Sequence, residues 1–262
     1  MDYHKLIHTL APSFTTMALL AMGAFAVSGC GSATDSVVTS CDLPSDQTGT
    51  ISGKWAVKPV PVAFHAGDWA PSEMSAMTAA ADTWNQFYGT SQNFQIIDYG
   101  GSSSSPRTST LSLPADPCSN QMLSGTKFNS PIVIYKDATW TYGSQLIALT
   151  RFCTPTGATG IPNMYSAVIE VNYQNYFTTN MVPDLQSIVL HEMGHLAGLN
   201  HSCENFAKSG TPLCSSNTDY ASAVMAPVFT FDSTGQGQQK RTLTDNDEGR
   251  ANCLYDGQLQ TN

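Results

Sequence analysis

The stretch His191-Glu192-Met193-Gly194-His195-Leu196-Ala197-Gly198-Leu199-Asn200-His201 constrains this chain more than any other segment. Residues four apart share one face of a helix, so His191 and His195 can reach a single ion. Glu192 follows the first of them and projects near the same point without having to be a ligand. Gly198 can enter the left-handed region, which ends a helix and turns the chain sharply. That turn can bring His201 round as a third nitrogen donor. Three protein ligands leave a fourth position open, the arrangement of a catalytic rather than a structural zinc site. A bare pair of histidines would mean little, since surface histidines also occur at this spacing; the complete pattern is far rarer. Of the six histidines, His65 falls in a strand pattern and reads as structural.

The flanking segments alternate between the two regular periods. Val57, Val60, Val62 and Phe64 form a strand pattern, with Pro59 and Pro61 suggesting an edge. Met74, Met77, Ala81, Trp84 and Tyr88 mark one face of a helix that Pro71-Ser72-Glu73 starts and Gly89 is expected to stop. Phe94–Ile97, Ile132–Tyr135 and Ala167–Asn172 read as strands, and Gly100–Ser105 as a surface loop. A second helix spans Asp184 to Leu196, with Asp184 as N-cap and Gly198 at its end. Thr244 and Asp247 suggest a capping box opening a third helix that runs to about Tyr255. The fold class expected is α+β, a mixed sheet with a few long helices.

The histidine motif resembles that of metzincin zinc metallopeptidases. Asp184-Leu185-Gln186-Ser187-Ile188-Val189-Leu190 before it and Ser202 after it look like the matrixin branch. Metzincins also carry a methionine in a tight turn beneath the metal, and Ser222-Ala223-Val224-Met225-Ala226-Pro227 matches that turn, with Met225 as its methionine. The resemblance covers most of residues 53–257. It implies a twisted mixed sheet, an active-site helix and a smaller C-terminal subdomain ending in a helix, with the cleft near residues 198–202.

By the same resemblance, His191, His195 and His201 hold one Zn2+, zinc-bound water is the nucleophile, and Glu192 is the general base of an endopeptidase. The strand carrying Glu170 and Asn172 is expected to pair with an extended substrate. Pro227 to Phe231, with Pro227 and Phe229, is expected to form a wall of the pocket after the scissile bond. The chain departs from the branch in the 24 positions between His201 and Met225, which contain Cys203 and Cys214 and read as an inserted, stapled loop. No clear set of Asp ligands for the structural calcium of that branch is visible, so Ca2+ is left open. Cys41-Asp42-Leu43-Pro44 has a faint likeness to the propeptide cysteine that keeps relatives latent; a disulfide role for Cys41 is the competing reading. The alternative function is a lipid-anchored binding or adhesion protein with a structural zinc, against which the retained Glu192 argues.

The N-terminus reads as a targeting segment. An apolar run from about Met17 to Val27 is shorter than the roughly 20 residues a membrane span needs and suits a signal peptide. It closes on Val27-Ser28-Gly29-Cys30, which resembles a bacterial lipobox with Cys30 as the lipidated residue. The expected organisation is a signal peptide over 1–29, a lipidated N-terminus and flexible Ser/Thr/Asp/Gly-rich tether over 30–52, and a peptidase domain over 53–262. Lipidation of Cys30 leaves six of the seven cysteines, enough for three disulfides in an oxidising compartment. Six cysteines allow 15 pairings; the local loop favours Cys203–Cys214, and Cys118–Cys153 with Cys41–Cys253 then follow by elimination. Gly31 after Cys30 is not the Asp that often signals inner-membrane retention in such lipoproteins, so the resemblance favours the outer membrane, facing the periplasm or the surface. A net charge of −9 without a basic patch argues against nucleic acid as a partner. The expected partners are a protein or peptide substrate and, through the lipid, a membrane; a monomer is expected.

Overall fold

The structure, a computed structural model, describes residues 2–10, 37–158 and 160–255, the first of these as backbone. Its centre is an eight-stranded mixed sheet: β1 (Asp2–Leu10), β2 (Val60–His65), β3 (Ile97–Asp98), β4 (Thr108–Ser109), β5 (Ile132–Asp137), β6 (Leu146–Cys153), β7 (Ser166–Asn172) and β8 (Val228–Phe231). The order across it is β8–β1–β6–β7–β5–β2–β3, with β4 also paired to β2. β6 is antiparallel to both β1 and β7, whereas β7, β5, β2 and β3 run parallel to one another and β1 runs parallel to β8. Every residue of β6 and β7 is buried. A strand covered on both faces has no apolar–polar alternation to reveal it, and β6 is accordingly absent from the strands read in the sequence.

The helices are α1 (Pro71–Gln92), α2 (Leu185–Ala197), α3 (Thr218–Ser222) and α4 (Asp245–Tyr255). The architecture is α+β, as expected. α1 starts where Pro71 allows, with the Glu73 carboxylate accepting from the Ala70 amide at 2.7 Å. It does not stop at Gly89. A glycine inside a helix costs only about 1 kcal/mol, and the turn beyond it is tied to α4 by Gln92, whose side-chain amide donates to Asn252 O and Oδ1 at 3.0 Å; Asn93, left-handed at φ 58°, ends the helix instead. Trp84 lies between α1 and α2 and donates its indole N–H to the Leu190 carbonyl at 2.9 Å.

Two further expectations are corrected. The β2 strand is not a free edge: Val60 N donates to Ile96 O and Phe64 N to Arg107 O, so short segments pair on its outer side despite Pro59 and Pro61. Residues 37–52 are not a loose tether. Cys41 is bonded to Cys253 in α4, Asn252 donates to Val38 O, and Gln47 and Thr50 are fully buried. Polar composition suggested a solvated segment, but here the polar groups make tertiary hydrogen bonds. The apolar run Met17–Val27, Cys30 and the remainder of the tether up to residue 36 lie outside the described residues. No helix among the described residues is long and apolar enough to cross a membrane. The three disulfides are Cys41–Cys253, Cys118–Cys153 and Cys203–Cys214. Cys41 is thus a disulfide partner and not a latency thiol.

Candidate metal centre

α2 begins on Asp184, whose carboxylate accepts from the Ser187 amide at 3.0 Å, and it ends on Gly198 at φ 119°. A Cβ at Gly198 would fall 1.9 Å from the Gly53 carbonyl oxygen, so both its backbone conformation and its packing demand glycine. The turn it permits brings His201 back to the face of α2 that carries His191 and His195. Ring centroids of the three histidines lie 4.6 to 5.4 Å apart, and one ligand atom from each falls within 4.8 Å of the others.

Hydrogen bonds orient all three rings. His191 Nδ1 is 2.7 Å from the Val224 carbonyl oxygen, His195 Nδ1 is 2.7 Å from the Leu199 carbonyl oxygen, and His201 Nδ1 is 3.3 Å from Glu204 Oε1. A neutral imidazole that donates from Nδ1 carries its lone pair on Nε2, the form in which histidine ligates a metal. The donor set, three imidazoles within reach of one ion and each with an outer partner, can therefore hold a metal ion. A second cluster, Asp116 with Cys118 and Cys153, carries no such capacity, because both sulfurs are consumed in a disulfide.

Glu192 is fully buried. The Thr150 hydroxyl on β6 reaches its Oε2 at 2.6 Å and its backbone carbonyl at 3.2 Å, while Oε1 makes no hydrogen bond among the described residues. Burial pushes the carboxyl up to about 8, against the pull of the Thr150 hydrogen bonds. A cation held by the three histidines would pull it down as well.

Met225 is fully buried under α2; a Cβ at Gly194 would lie 2.2 Å from its sulfur, so the absence of a side chain at Gly194 is what lets the methionine fit. The turn is held from below by Asp247, whose carboxylate accepts from the Val224 and Met225 amides at 2.9 and 3.1 Å. The same carboxylate accepts from the Thr244 amide and hydroxyl, and the Asp247 amide donates to Thr244 Oγ1, the capping pair read in the sequence. Met225 O in turn accepts from the Ser202 amide, which ties the turn to the loop of the third histidine.

The expected substrate strand is corrected. β7 is flanked by β6 and β5 and has no free edge to offer. Glu170 instead pairs with Arg151 at 2.7 Å, and Arg151 also donates to the Pro114 and Ala115 carbonyls. Asn172 braces Leu146 O and the Asn175 amide. Both are scaffold. The strand that faces the site is β6. Pro227 and Phe229 are buried, and Val228–Phe231 forms β8 as the strand on the far side of β1. His65 is bonded to Asp68 at 2.7 Å, remote in role from the centre. Thr150 and Asp247 went unrecognised as parts of the site because they act through tertiary contacts, and Glu204 went unrecognised with them. Glu204, three residues past His201, was the one with a local cue. No protein-family model matches the chain, and no curated protein matches it.

Proposed function

We propose that this chain is a zinc-dependent endopeptidase of the metzincin kind, and that its groove lies between β6 and β8. One observation carries the reading furthest. An extended segment, β1, lies between these strands, antiparallel to β6 and parallel to β8. In that register Thr150 pairs with His4 while its hydroxyl holds Glu192. A residue that pairs with extended polypeptide thus also grips the buried carboxylate. Main-chain pairing on both sides is a means of binding peptides of varied sequence in one extended conformation.

The roles of the chain's own groups follow. His191, His195 and His201 would hold zinc through Nε2. Zinc supplies Lewis-acid activation when bound. Thr150 fixes Glu192 Oε2, which leaves Oε1 to accept a proton from the attacking water and to pass it to the nitrogen of the leaving amine as the C–N bond breaks. Burial of the site keeps that proton from exchanging with bulk solvent.

The test compares wild type with Glu192→Ala on an unfolded protein substrate, with and without a zinc chelator. Cleavage should be chelator-sensitive and should fall by about 10²-fold or more in the variant. A wild type that cuts nothing, or a variant that cuts equally well, rejects the peptidase reading.

A further inference from the structure

Two of the three histidines rest on neutral backbone carbonyls, those of Val224 and Leu199. His201 faces a carboxylate, Glu204 Oε1 at 3.3 Å. Glu204 is 8% exposed and belongs to the stapled loop that begins directly after the third histidine. That loop is built to hold it. The Glu204 amide donates to Pro212 O at 2.8 Å, and the Cys214 amide donates to Glu204 O at 2.9 Å. The Cys203–Cys214 disulfide closes the same two arms beside these bonds, with Cys203 fully buried. Lys208 reaches the same Oε1 at 3.5 Å from the solvent side.

We infer that Glu204 is a positioning residue for the third metal ligand, and that the stapled loop between His201 and the methionine turn exists in part to deliver it. The inference rests on the metal-site reading above. A carboxylate behind an imidazole does two things that a carbonyl does less well. It fixes the ring so that Nε2 points at the ion, and its charge makes that nitrogen a stronger donor. His201 needs this more than its fellows. His191 and His195 are held by the rigid turns of α2, whereas His201 sits on the chain past Gly198, where no helix orients it. Removal of such an outer partner typically costs about 10–100-fold in metal affinity.

The experiment measures Zn2+ affinity of the full chain by competition with a chromogenic chelator, for wild type, Glu204→Gln, Glu204→Ala and Lys208→Ala. Thermal unfolding of each zinc-free protein is recorded alongside. The two Glu204 variants should bind Zn2+ about 10–100-fold more weakly, with the zinc-free unfolding midpoint of Glu204→Gln unchanged. Lys208→Ala should stay close to wild type. The absorption bands of the Co2+-loaded protein should shift in Glu204→Gln and not in Lys208→Ala, which a loss of general stability would not produce. If wild type binds Zn2+ and Glu204→Gln binds it equally tightly with the same Co2+ spectrum, the role assigned to Glu204 is wrong while the metal site stands. A wild type that binds no Zn2+ overturns both.

Discussion

The Thr150 hydroxyl and the Glu192 carboxylate meet at 2.6 Å across the junction of β6 and α2. A hydrogen bond to a charged group contributes about 1.5–3 kcal/mol, so this one decides which carboxylate oxygen is left to move a proton. Thr150→Val keeps the shape and deletes the donor. It should lower kcat by about 10-fold or more while leaving KM and zinc content unchanged, and Thr150→Ser should restore most of the loss. Steady-state kinetics with metal analysis of the same samples checks this; an unaffected kcat in Thr150→Val would remove the residue from the mechanism.

Gly194→Ala reverses an ordinary sign. In an exposed helix interior the change gains up to about 1 kcal/mol. Here the new Cβ would meet the Met225 sulfur at 2.2 Å and Trp84 Cζ2 at 3.0 Å, inside a fully buried contact. The variant should lose about 1–3 kcal/mol by overpacking. Met225→Ala opens a cavity of its own, yet it should relieve the clash. Chemical denaturation of both single variants and the double variant should therefore show strong non-additivity, and additive losses would mean that the two residues do not touch.

Asp184 links stability to pH. Burial by itself would raise its carboxyl, but hydrogen bonds from Arg241 and from the Ser187 side chain and amide, together with the Arg241 charge, hold it below the ordinary value. A carboxyl lowered on folding adds stability above its unfolded pKa of about 3.9, and that stability is lost as pH falls through the lower folded value. Arg241 is 45% exposed, so solvent screens the pair. Asp184→Asn should cost about 0.5–1 kcal/mol at pH 7, and the difference from wild type should close in acid, as pH falls through the lowered folded value. Urea titrations at pH 7 and in acid measure it; an equal gap at the two would assign the loss to capping geometry alone.

The Cys41–Cys253 bond joins residues 212 apart in sequence. Removing it with Cys41→Ala and Cys253→Ala should destabilise the fold by about 2–5 kcal/mol. The measurement is the denaturant midpoint under non-reducing conditions, and an unchanged midpoint would show that the hydrogen bonds of residues 37–52 suffice.

What was legible in the sequence was whatever depends on local spacing. His191, His195 and Glu192 sit where the helical period puts them, Asp184 and Gly198 bound α2, and Thr244 meets Asp247. Met225 could be placed because a short turn pattern surrounds it. What was hidden depends on sheet order. β6 has no alternation, and nothing local says that it, rather than β7, carries the residue that contacts Glu192; hence Glu170 and Asn172 were expected at the site and Thr150 was not. The segment before residue 53 was hidden for a related reason. Its composition resembles that of a linker, yet Gln47 donates to Ser202 O at 2.6 Å and the Asn200 amide donates to Thr50 O at 2.7 Å. A polar segment that satisfies buried groups of the metal loop cannot be told from a solvated one by composition.

The anchorage of Val38 and Cys41 on α4 brings the start of the segment after β1 and the last helix to one place. Asn252 holds Val38 O at 2.6 Å, and Glu248 accepts from the Val38 amide at 2.7 Å. Apart from β1, the chain from Val37 to Tyr255 thus starts and ends at neighbouring points. A circular permutant of residues 37–255, with a short linker from Tyr255 to Val37 and a new break among the exposed residues Ser102–Ser105, would reorder the chain and omit β1 while keeping the three histidines and the residues that orient them. Labels attached at Val37 and at Tyr255 would therefore report on one locality rather than on opposite ends of the molecule.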